Sequence, residues 1–243
     1  MWALAKALAN IAQVIVIAPD REQSAIGTAV TLRQPLRVQK ITPQVPDVET
    51  YSVEGTPADS VILALDKLAK DKIDLVVSGI NHGPNLGDDV FISGTVSAAR
   101  QGYLRGLPAL AISAFSGDKL NLDNAAMIAA SLIKKINIFP IPHILLNINV
   151  PALPLAQIRG IKITKLATKS HIDAVEEGHD GIHEYYWLVR QRLITNAPPE
   201  TDIGAIETGN ISVTPLEHHY TNHKTPSPIL KDLCSTFLDE IKN

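Results

Sequence analysis

The run Ile73-Asp74-Leu75-Val76-Val77-Ser78-Gly79-Ile80-Asn81-His82-Gly83-Pro84-Asn85-Leu86-Gly87-Asp88-Asp89, followed by Ser93-Gly94-Thr95-Val96-Ser97-Ala98-Ala99, sets the architecture of the chain. A short apolar stretch ends in a loop dense in Gly, Asn and Asp, and that loop feeds a helix start built from small residues. This order places backbone N–H groups, amide side chains and hydroxyls at the carboxyl end of a buried strand. Open α/β sheets bind ligands there, and a helix N-terminus there attracts phosphate. The segment points to phosphate chemistry.

The rest of the chain repeats the alternation. Trp2–Asn10, rich in Ala and Leu, reads as an amphipathic helix rather than a signal peptide, because it lacks a basic leader and Lys6 interrupts it. Gln13–Ile17 reads as a buried strand, with further strands expected near Leu36–Lys40 and Glu49–Val53. Thr56-Pro57-Ala58-Asp59 carries an N-cap, a Pro at the first helical position and an acid in the first turn. Strands near Leu75–Val77, Ala109–Ile112 and Ile144–Ile148 alternate with helices near Thr95–Leu104 and Asp123–Lys134. Strands and helices in that order predict an α/β fold, with a mostly parallel sheet covered on both faces.

From about Pro151 the character changes. The stretch from His171 to Val189 is charged, then aromatic at Tyr185-Tyr186-Trp187, and reads as an extended hairpin arm. Ile211–Leu216 is a further strand, and Ile229–Ile241 a closing amphipathic helix. One feature is out of pattern. The strand Val14–Ile17 has a preceding helix but no strand from which that crossover would start, so either a partner element covers its edge or the chain begins late.

Composition limits the partners. With 243 residues, 45% hydrophobic and 19% charged, the chain is long enough for a large buried core. A net charge of -3 and a pI near 6.2 give no reason to expect a nucleic-acid polymer as partner, so local groups must hold any anion. The single Cys234 excludes an internal disulfide and suits a cytoplasmic setting. No run approaches the roughly 18 apolar residues of a membrane span.

Two loops carry candidate chemistry. In Pro19–Thr28, Ser24 offers a neutral oxygen and Arg21, with Arg33 beyond the loop, offers positive charge for phosphate; an ordinary solvated loop explains the same pattern. In the second loop, Asn81 offers a side-chain carbonyl to a hard cation such as Mg²⁺ or Mn²⁺. Gly79, Gly83 and Asn85 are candidates for the cleft wall, the glycines permitting close backbone approach. Ser93, Gly94 and Thr95 combine hydroxyls with helix-start N–H groups and suit an anion, although plain N-capping is the alternative. Asp88 and Asp89, read as strand-like, point to opposite sides and take a supporting or solvent role. His218, His219 and His223 have no second ligand cluster at zinc spacing and read as surface or cleft-rim residues.

The motifs VVSGINHGPNLGDDVFISGTVSAA, APDREQSAIG, EGTPADSV, LNINVP, YYWL and ISVTPL, with the last five arranged about the first in family order, closely resemble the SurE family of survival-protein nucleotidases. The resemblance implies a Rossmann-like core over residues 1–150, with residues 151–243 supplying an oligomerisation arm and C-terminal segment of the same domain. It implies a divalent-metal-dependent phosphatase acting on nucleoside monophosphates, and a homodimer or homotetramer formed through the arm near 171–189. Ser24 and Asn81 match the family's metal-site serine and asparagine, and Ser93, Gly94 and Thr95 match the segment against the bound phosphate. The family's amino-terminal strand ends in an Asp-Asp-Gly turn that supplies two carboxylate ligands, and no residue here matches it. His219 stands where the family often has Asp. The expectation is a SurE-type nucleotidase, impaired as written by an absent first strand. The alternative is a non-catalytic phosphate-binding protein; a dinucleotide-dependent oxidoreductase is disfavoured because no G-x-G-x-x-G follows the first strand.

Overall fold

The structure, a computed structural model, describes residues 1–115, 119–136, 143–168, 172–190 and 196–217. The expected closing helix at 229–241, the three histidines His218, His219 and His223, and Cys234 lie outside the described residues.

The α/β alternation is present. In chain order the elements begin with α1 (Trp2–Ala9), β1 (Ile15–Pro19), β2 (Val38–Lys40), β3 (Glu49–Val53) and α2 (Pro57–Leu63), which continues into a wider turn over Ala64–Leu68. Next come β4 (Val76–His82), α3 (Asp89–Ile92), α4 (Gly94–Leu104), β5 (Ala109–Ala114), α5 (Lys119–Ile136) and β6 (Leu145–Val150). The last are β7 (Gly160–Ile163), β8 (Ile172–His179), β9 (Glu184–Arg190), α6 (Asp202–Glu207) and β10 (Asn210–Pro215).

The largest sheet runs β4-β5-β6-β10-β7, with β4, β5 and β6 parallel and β10 antiparallel to β6. Its centre shows why a continuous apolar run was needed. Along β5, Leu110, Ile112 and Ala114 enter a core formed with α1 and α5, including Leu4, Leu8, Ala125, Ala129 and Ile133. The alternate residues Ala109 and Ala111 enter a second core with Val96 and Ala99 of α4 and Val61 and Leu65 beside it. Side chains alternate faces along a strand, and here both faces are dry because helices cover both.

A second, smaller sheet accompanies the largest one. β1 pairs in parallel with β3, and β3 pairs antiparallel with the short β2, making a separate sheet of order β1-β3-β2. Among the described residues, β1 and β4 each have one edge without a strand partner, and both strands line one cleft of about 1300 Å³. The two sheets are held together by helix packing, α2 against α4 and α1 against α5. The hairpin β8-β9 forms a third, two-stranded sheet, as the arm reading expects. Its tip is fixed by Asp180, which accepts hydrogen bonds from the N–H groups of Ile182 (2.9 Å) and His183 (2.7 Å). Tyr186, Trp187 and Leu188 are exposed along β9.

Boundaries moved where tertiary contacts overrode local pattern. β4 extends through His82, well beyond the apolar run, because pairing with β5 carries it across Gly79. The Asp88–Asp89 segment is a helical turn rather than strand-like; Asp88 is exposed and Asp89 is buried. The short strand β7 and the helix α6 have no counterpart in the sequence reading, since neither has enough residues to display a period.

Candidate active site

The cleft is built from two loops that leave the carboxyl ends of β1 and β4. The first loop is fastened at three points. The N–H of Gly27 donates to the Ile92 carbonyl at 2.8 Å. The Thr56 hydroxyl donates to the Ala29 carbonyl at 2.8 Å. Asp59 accepts from both the N–H (2.9 Å) and the hydroxyl (2.7 Å) of Thr31. Thr56 is the N-cap of α2, as the sequence reading expects, and Asp59 completes a capping box with it. Burial alone would raise the Asp59 carboxyl, yet the hydrogen bonds from Thr31 and Thr56 hold it below the usual carboxylate range.

Gly94 records how close the two loops come. A methyl group there would sit 3.0 Å from Pro57 Cγ, 3.1 Å from Ile26 Cγ2 and 3.3 Å from the Gln23 carbonyl. Only a residue without Cβ lets the first loop lie against the start of α4 without displacement.

The second loop supplies the polar groups. Asn81 Nδ2 donates to the Gly83 carbonyl at 2.8 Å, which turns Oδ1 towards α4, where it accepts from the Thr95 hydroxyl at 3.3 Å. Ser93 is the N-cap of α4, its hydroxyl accepting from the Val96 N–H at 3.2 Å. Capping therefore occurs at Ser93, while Gly94 and Thr95 present the helix start to the cleft. Gly79 has φ +128°, and a Cβ there would collide with the Ile112 carbonyl oxygen, so β4 and β5 require glycine at this position.

Ser24, Gly79, Asn81, Asn85, Ser93, Gly94 and Thr95 all line the cleft, as does Arg21. Gly83 is outside the lining, and Arg33 is exposed and also outside it. The Ser24 hydroxyl donates to the Glu22 carboxylate at 2.7 Å. Ser24 and Asn81 are oxygen donors of the kind a hard cation takes, and both face one cleft. Among the described residues no group of three His, Cys, Asp or Glu side chains is assembled.

Sequence reasoning passed over the residues behind the second loop. Asn147 and Asn149 of β6 and Ser113 of β5 are fully buried and grip Asn85. Asp202 at the start of α6 is also fully buried and accepts from the N–H groups of Gly87 (2.8 Å) and Ala167 (2.9 Å). Burial pushes its carboxyl up, against those hydrogen bonds. The available signal was LLNINV, where two asparagines two residues apart interrupt an otherwise apolar strand.

Comparison with known proteins gives a consistent result. Residues 1–173 match the family model described as "Survival protein SurE". A protein named 5'-nucleotidase SurE from Dehalococcoides mccartyi (strain CBDB1) is 54% identical over 235 residues, covering 96% of this chain and 88% of the relative. A 5'-nucleotidase SurE from Vibrio parahaemolyticus is 45% identical over 226 residues, covering 92% and 85%. The crystal structure of the SurE protein from Aquifex aeolicus superimposes with a TM-score of 0.80 at 36% identity, covering 97% of this chain and 93% of that one. The two loops, their shared cleft and these matches together make the chain a member of the SurE family.

Proposed function

We propose that the chain is a nucleotidase that hydrolyses nucleoside monophosphates to nucleoside and phosphate. The observation that carries this reading is the contact between Asn81 Oδ1 and the Thr95 hydroxyl, which joins a hard oxygen donor to a helix N-terminus in one cleft. The names of the relatives supply the substrate class.

In this reading Gly94 and Thr95 bind the phosphoryl oxygens through helix-start N–H groups, where the helix dipole favours negative charge. Ser93 keeps that turn wound. Arg21 at the cleft rim adds positive charge to the approach of an anion. Asn81 and Ser24 would hold a divalent cation, Mg²⁺ or Mn²⁺. When bound, it supplies Lewis-acid polarisation of the phosphoryl group.

The arm extends the proposal to assembly. The apolar and aromatic residues exposed on β9 support a homodimer or homotetramer through the hairpin. Residues 1–150 are read as the nucleotidase core, and 151–243 as the arm and C-terminal part completing it. A cytosolic setting rests on the single cysteine. Among the described residues no helix is long and apolar enough to cross a membrane.

Phosphate release from a panel of nucleoside monophosphates, with and without Mn²⁺, tests the reading. Mn²⁺-stimulated release that is lost in Asn81→Ala supports it. Nucleotide binding without any release in the wild-type chain overturns it in favour of a non-catalytic binding protein.

A further inference from the structure

We propose that Asn147 and Asn149 are positioning residues that fix, through Asn85, where Asn81 stands relative to the start of α4. The starting point is a cost. Both side chains are fully buried in the centre of the main sheet, and a buried amide is unfavourable unless its polar atoms are paired. Two residues apart on β6, they project to the same face.

What they hold is a loop backbone. Asn149 treats Asn85 as a strand neighbour would: its Oδ1 accepts the Asn85 N–H at 2.8 Å and its Nδ2 donates to the Asn85 carbonyl at 3.1 Å. Asn147 Nδ2 donates to the same carbonyl at 2.8 Å. The Asn85 side chain donates in turn to Ser113 Oγ at 2.7 Å. The main-chain donor, both lone pairs of the main-chain acceptor and one side-chain N–H of Asn85 are thus engaged from β5 and β6. Asn147 Oδ1 has no hydrogen-bond partner among the described residues. The amide is therefore held for its donor end, the end that faces the loop.

The location gives the clamp a purpose. Asn85 lies four residues after Asn81 and eight before Ser93, in the segment that joins the end of β4 to the start of α4. Leu86 beside it is buried against Ala167 and Ile203, and Gly87 is tied to Asp202. A hydrophobic contact alone would allow this segment to slide along the ends of the strands. Four hydrogen bonds in a dry interior allow one register only. The 3.3 Å contact between Asn81 and Thr95 then follows from the sheet rather than from the loop.

The catalytic arm of the test rests on the nucleotidase reading; the exchange arm does not. Asn149→Asp keeps volume and the acceptor oxygen but sets an oxygen against the Asn85 carbonyl, and Asn149→Ala removes both bonds. Ser113→Ala is a milder probe of the same loop, in case either variant fails to fold. Amide hydrogen exchange is read over residues 83–88, with 109–114 and 145–150 as sheet controls. Exchange in the loop is expected to rise about tenfold in the Asn149 variants and about threefold in Ser113→Ala, with the controls changing less than about twofold. The Mn²⁺ concentration for half-maximal phosphate release is expected to rise at least about fivefold, a shift that a mere loss of folded protein does not produce. Unchanged loop exchange, or parallel loss of protection in loop and sheet, overturns the clamp. If the wild-type chain releases no phosphate, the nucleotidase reading fails while exchange still decides the clamp.

Discussion

The hydroxyl of Thr95 donates to Oδ1 of Asn81 at 3.3 Å, so a polar contact joins the end of β4 to the first turn of α4. Thr95→Val removes the hydroxyl at almost constant volume. The expected outcome is a loss of nucleotide affinity of about three- to tenfold, as for one neutral hydrogen bond that orients Asn81, with a melting temperature close to wild type. Isothermal titration with a nucleoside monophosphate, alongside thermal melts, measures both.

Gly79 sits where a side chain has neither room nor an allowed backbone. Gly79→Ala must move the β4 backbone away from Ile112 and hold a positive φ. A cost of about 1–3 kcal/mol is expected from the backbone conformation alone, and the collision adds to it. Urea unfolding is the measurement, and an unchanged midpoint would count against the close approach of these strands.

Acid stability carries the signature of Asp59. Its carboxyl is held below the ordinary range by Thr31 and Thr56. The stabilisation is therefore complete above the ordinary carboxylate pKa, near 4, and is lost as pH falls through the lowered value. Asp59→Asn is expected to be less stable at neutral pH and to show a shallower fall below about pH 4. Because this residue anchors the Ser24 loop, proteolysis between Arg21 and Thr31 should quicken in the variant.

The arm gives a prediction about assembly. Trp187 and Leu188 are among the large apolar side chains exposed on β9. Light scattering of the wild-type chain is expected to give at least a dimer, and a Trp187→Ser, Leu188→Ser double variant a smaller species. A monodisperse wild-type monomer would remove the basis for the arm proposal.

How much of this was legible beforehand depends on what each residue says locally. The helix start at Thr56–Asp59 was readable because capping is a matter of four neighbouring residues. That Asp59 also reaches Thr31 was not, since a contact 28 residues away leaves no periodic trace. Ser24, Asn81 and Ser93–Thr95 were picked out by residue type, and the shared cleft is a tertiary fact. Asn147 and Asn149 were passed over because polar residues in a buried strand look like a weakness of the strand until their partner is known. Which edges pair, and so the separation into two sheets, was not readable, because strand spacing records order along the chain; the sequence showed only that Val14–Ile17 lacks the strand before its crossover helix.

That division has a mechanical consequence. Ser24 follows a strand of one sheet and Asn81 ends a strand of the other, and among the described residues no ladder of backbone bonds runs between them. Among the described residues the two sheets meet through helix packing, α2 against α4 and α1 against α5, in the manner of a calliper joined away from its jaws. A single added methyl at Ala99 or Ala129, both almost fully buried, would alter the reach between the two oxygen donors without touching either. The spacing of Ser24 and Asn81 is then adjustable from positions that touch neither.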